Sequence, residues 1–61
     1  MSYVVEVDGP EPSWICINSN TNLPSFTFIK PKGISFLDAK KLKSRADIIC
    51  GGTLSIVEIN D

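Results

Sequence analysis

Apolar positions along the chain fall into four short strand-like runs and one run of helical period. Tyr3-Val4-Val5-Glu6-Val7 is β-branched and aromatic, and it stops at Asp8-Gly9-Pro10-Glu11-Pro12, where glycine and proline cannot continue a strand. Trp14-Ile15-Cys16-Ile17 is closed by Asn18-Ser19-Asn20-Thr21-Asn22, whose side chains favour local backbone hydrogen bonds and therefore a turn. Phe26-Thr27-Phe28-Ile29-Lys30 alternates, with Phe26 and Phe28 on one face, and breaks at Pro31-Lys32-Gly33. Strands are predicted over 3–7, 14–17 and 26–30.

The helix carries the most signals. Ser35 is a good N-cap, Asp38 three residues on can complete a capping box and suits the positive end of the helix dipole, and Ile34 can act as a hydrophobic staple. Steps of about 100° per residue from Phe36 place Ala39, Leu42, Ala46 and Ile49 on one stripe, with Cys50 at its margin. Gly51-Gly52 supplies the stop. Residues 53–59 then read as a last strand, interior to the sheet because both of its faces are apolar.

The order β-β-β-α-β predicts one α+β domain over 1–61, a two-layer sandwich of one mostly antiparallel sheet with a single helix on one face. Either a right-handed crossover to a parallel last strand or a meander with the helix laid across it satisfies the pattern. One helix covers one face, yet Val4 opposes Tyr3 and Val5, Ile15 and Ile17 oppose Trp14 and Cys16, and Leu54 and Ile56 oppose Val57 and Ile59. The surplus apolar set is either wrapped by twist and loops or offered, face or edge, to a partner or a second copy. A homodimer is the expected form.

Length excludes a second core, since 61 residues lie near the lower limit for unaided folding. The opening residues lack a basic segment and break at Glu6, so no secretory signal is read there, and no run reaches membrane-spanning length. A cytoplasmic protein is expected. Cys16 and Cys50 are then expected as free thiols. With no histidine and no Cys-x-x-Cys pair, neither a zinc site nor a cofactor is expected.

Charge is strongly segregated. Lys30, Lys32, Lys40, Lys41, Lys43 and Arg45 lie between positions 30 and 45 with Asp38 the one acid there, giving that segment +5 and the remainder −6 within a net charge of −1. On the helix, Leu37, Lys40, Lys41, Ser44, Arg45 and Ile48 form the candidate partner-binding set: basic residues interleaved with two large apolar ones, suited to an acidic surface. Lysine-rich outer helix faces are most often simply solvated, and that reading stands beside the functional one. Nucleic acid is the less favoured partner, because the pI is acidic and Trp14, Phe26 and Phe28 are expected in the core, leaving no exposed rings for base stacking.

No enzyme activity is expected. Without histidine a Ser-His or Cys-His pair cannot form, the acids are scattered over turns and termini, and Gly51-Gly52 follows a helix instead of opening one.

Met1 leading directly into a strand, then a strand pair, Ile34-Ser35-Phe36-Leu37-Asp38-Ala39 opening one helix, Gly51-Gly52 and a closing strand together resemble the layout of small phage-encoded host-takeover and anti-defence inhibitors. These include inhibitors of RNA polymerase and anti-CRISPR proteins. The resemblance lies in the order of elements and implies a protein that acts without catalysis, by sitting on a host or defence protein and blocking a site, in the host cytoplasm. A nucleic-acid-binding module using residues 30–45 is the alternative, and a structural subunit of a larger assembly is a third.

Overall fold

Among the described residues four strands and one helix form in the predicted order: β1 (Ser2–Val7), β2 (Ser13–Ile17), β3 (Pro24–Thr27), α1 (Phe36–Ile49) and β4 (Leu54–Ile59). The computed structural model describes residues 1–49 and 53–60. Cys50 and the Gly51-Gly52 stop lie outside the described residues, as does Asp61.

The sheet runs β3-β2-β1-β4, with every neighbouring pair antiparallel. The crossover alternative therefore falls away: the chain leaves β3, passes over the sheet as α1 and returns as β4 against β1. β4 lies at an edge, not in the interior as its two apolar faces suggested. Both faces are apolar for another reason. Leu54 and Ile56 pack toward the helix, while Ile59 on the opposite face meets the connection that precedes it.

Alternation sends Tyr3, Val5, Ile15, Leu54 and Ile56 to the helix side, where Val5, Ile15 and Leu54 join Ala39, Leu42 and Ala46 in the buried core. The middle of the helix stripe is as expected, and its ends differ. Phe36 and Ile49 are both exposed, by 50% and 66%. Phe36 instead packs its ring edge-on to Tyr3, with centroids 5.1 Å apart. Ser35 caps the helix, its Oγ accepting from the Asp38 N–H at 3.2 Å.

β3 is shorter and earlier than residues 26–30. At its start, the Asn18 N–H donates to the Leu23 carbonyl and Asn22 takes a left-handed φ of 57°, which closes the hairpin just before Pro24. At its end, Thr27 Oγ1 accepts from the Ile29 N–H and donates to the Ile29 carbonyl, turning the backbone out of the ladder. The chain thus leaves the sheet before Phe28. Phe26 is 58% and Phe28 73% exposed, so neither belongs to the core, and Trp14 is half-buried on the face away from the helix.

The connection over residues 28–34 covers part of the second apolar face. Continuing the β1–β2 register would set Ile17 opposite Tyr3, since Val7 faces Ser13 and Val5 faces Ile15. Ile34 occupies that place instead, exchanging two backbone hydrogen bonds of 2.8 Å with Tyr3. The sheet therefore forks, and the strap that enters the fork lies against its outer face: Gly33 sits on Ser2 and Ile59. Val4, on the face with no helix, is only 2% exposed.

Candidate functional site

The fork leaves a cleft. One part, about 180 Å³, is walled by Val4, Val5, Ile15 and Cys16 from the diverging strands and by Pro31, Lys32 and Ile34 from the strap. A second part, about 300 Å³, opens beside the helix, with Ile17, Ile34 and Leu42 as its apolar floor and Asp38, Lys41 and Arg45 around it. Ile17, Ile34 and Leu42 belong to both, so the groove runs from the helix flank into the split of the sheet. Three cations, Lys32, Lys41 and Arg45, and one acid, Asp38, border an apolar interior. That combination suits an apolar side chain carried on an acidic segment.

The six residues chosen on the sequence are all exposed, and they divide into two groups. Leu37, Lys40, Ser44 and Ile48 form the outer face of the helix, with Leu37 63% and Ile48 87% exposed. Lys40 leans back over the Phe36 ring, its Nζ 5.7 Å from the centroid, a cation–π contact that orders it without neutralising it. Lys41 turns to the groove. Arg45 lies on the same flank and donates from Nη2 to the Asn22 carbonyl at 2.9 Å, tying the helix to the β2–β3 turn. On the opposite flank Lys43 bridges Asp47 at 3.0 Å, an exposed pair worth about 0.3–0.5 kcal/mol.

Sequence reasoning missed Ile17, Ile34 and Lys32 as members of the site. Ile17 reads as a ladder residue, and only the displacement of β2 by the strap turns it into the floor of a groove. The exposed rings of Phe26 and Phe28 were also missed. They lie on β3 and just after it, and Phe26 shares a small apolar groove with Pro24 and Ile49 at the end of the helix.

Cys16 is a free thiol beside Ser25, with Sγ and Oγ 3.7 Å apart. Among the described residues no group of three or more His, Cys, Asp or Glu is placed to hold a metal ion, and no helix is long and apolar enough to cross a membrane. Comparison of the chain with family models, with curated proteins and with solved structures finds no match.

Proposed function

We propose that this chain is a small non-catalytic binding protein that grips an acidic segment of a partner protein along the helix and its flanking groove. The observation that carries the reading is the juxtaposition of Lys41 and Arg45 with the apolar floor of Ile17, Ile34 and Leu42. An acidic segment crossing this flank would pair with the cations and place one apolar side chain in the groove, while Leu37 and Ile48 extend the contact over the outer face. The order of elements supports assigning it to the manner of phage-type inhibitors, which occupy a surface of a host or defence protein and need no chemistry of their own.

One observation favours a second reading. What counts against nucleic acid is the want of exposed rings, yet Phe26 and Phe28 are exposed, with Lys30 following in the chain. Single-stranded nucleic acid binds by stacking on such rings beside cations.

Amide-resolved NMR titration separates the two. An acidic peptide with a central leucine should shift Ile17, Ile34, Lys41 and Leu42, with modest salt dependence. An oligothymidylate should shift Phe26, Phe28 and Lys30, and its affinity should fall log-linearly with salt. Absence of any response at the groove residues to the peptide refutes the first reading.

A further inference from the structure

Both outer strands of the sheet present an edge, and the two edges differ in chemistry. Tyr3 exchanges its backbone bonds with Ile34 on the β2 side, so in the antiparallel ladder Ser2, Val4 and Glu6 are the β1 residues that bond toward β4. Their partners Ile59, Val57 and Ser55 bond inward, and Leu54, Ile56 and Glu58 direct N–H and C=O outward. On the other side Asn18 bonds to Leu23, so Pro24 and Phe26 face outward from β3, and Pro24 has no N–H to offer. β3 is thus short and blunted by proline, in the manner of protected edges. β4 is six residues long with neither proline nor lysine, and its edge carries an unbroken row of outward donors and acceptors.

We propose that β4 pairs with β4 of a second copy of this chain, antiparallel about a two-fold axis, joining two four-stranded sheets into one of eight strands. The register follows from the requirement that outward residues exchange bonds and that overlap be greatest. Ile56 then faces its own symmetry mate, and Leu54 of each copy faces Glu58 of the other. No like charges are opposed, for the two Glu58 positions are offset by about 14 Å along the strands, four residues at about 3.4 Å each.

The helix flank above this edge is self-complementary too. Arg45 and Ile49 mark the flank turned toward Asn22 and β3, so Phe36, Lys43 and Asp47 lie on the flank turned toward β4. A two-fold axis runs the helices of the two copies antiparallel and brings Lys43 of one toward Asp47 of the other. A second copy meets both patterns at once, whereas an unrelated strand would have to reproduce them. The groove lies on the far flank and stays open in the dimer.

Amide hydrogen exchange of the whole chain, measured from micromolar to millimolar concentration beside sedimentation equilibrium, tests the pairing. The Ile56 and Glu58 amides should gain protection as concentration rises, while those of Val57 and Ile59, bonded to β1, are protected throughout. Glu58→Pro removes one outward donor per copy and leaves the β1 ladder intact, so self-association should weaken roughly tenfold. Lys43→Glu should weaken it as well, and the double variant Lys43→Glu with Asp47→Lys should restore it. A strict monomer over the whole range, a dimer whose Ile56 and Glu58 amides stay unprotected, or a folded Glu58→Pro variant that associates as tightly as the parent would overturn the proposal.

Discussion

Replacing Gly33 by alanine tests the strap that organises this fold. A methyl group there would overlap Ser2 Cβ and come within 3.0 Å of both Ile59 Cδ1 and Ser2 Oγ. Ser2 Cβ is fixed to the backbone of β1, so no rotamer change relieves the overlap, and strap and strand must separate. Overpacking of this kind costs about 1–3 kcal/mol. Loosening the two 2.8 Å bonds between Tyr3 and Ile34 adds about 0.5–1.5 kcal/mol each. The reduced entropy of the unfolded chain returns about 0.4–1 kcal/mol. A net loss of about 1–6 kcal/mol follows, a large part of the about 3–9 kcal/mol expected for a domain of 61 residues. Gly33 has no positive φ, so lack of space, and not backbone strain, is the cause. Urea denaturation followed by the fluorescence of Trp14, the one tryptophan, should show a lower midpoint with unchanged slope. Gly9→Ala is the internal control: its methyl would lie 4.0 Å from the Glu11 carbonyl oxygen, and the change should stay within about 0.5 kcal/mol. Equal midpoints for the two variants would refute the close approach of strap and strand.

Leu42→Ala should cost about 2–5 kcal/mol in the same assay, because its side chain is both core and groove floor, whereas Lys41→Ala should be nearly neutral. Ser35→Ala removes the acceptor of the Asp38 N–H and should cost about 1 kcal/mol, read as loss of helical ellipticity at a lower denaturant concentration. Charge reversal at Lys40 and Lys41 should slow association with an acidic partner in stopped-flow binding more than it speeds dissociation, with the circular dichroism unchanged.

The helix was legible in the sequence because its signals are local. A cap at Ser35, an apolar step of three or four residues and exposed lysines between all report on the same few turns. Strand existence was legible for the same reason, since β-branched runs end at proline, glycine or asparagine. Strand order was not. Nothing in residues 53–59 distinguishes an interior strand from an edge strand whose second face is covered by a strap. Phe26 and Phe28 misled for a related reason: alternation identifies which residues share a face, but not whether anything packs on it. The outer helix residues were found because periodicity gives them directly. The groove beside them was not, because it depends on Ile34 taking the place of Ile17 opposite Tyr3, a contact between residues 31 positions apart.

That displacement connects stability to binding. If β2 continued along β1, Ile17 would lie in the ladder opposite Tyr3 and the space under Lys41 and Arg45 would be filled by strand. The strap closes the outer face over Val4 and, by holding the strands apart at one end, opens the groove on the helix side. Gly33 is the residue that lets it approach closely enough to do both. Among the described residues there is one helix, and the second sheet face takes part of its covering from Pro31 to Ile34 at the end of the connection. The surfaces then fall in separate places: a basic, apolar-floored groove on the flank toward β3, and an open strand edge on the flank toward β4. A partner in the groove and a second copy at the edge would thus contact opposite flanks of the helix.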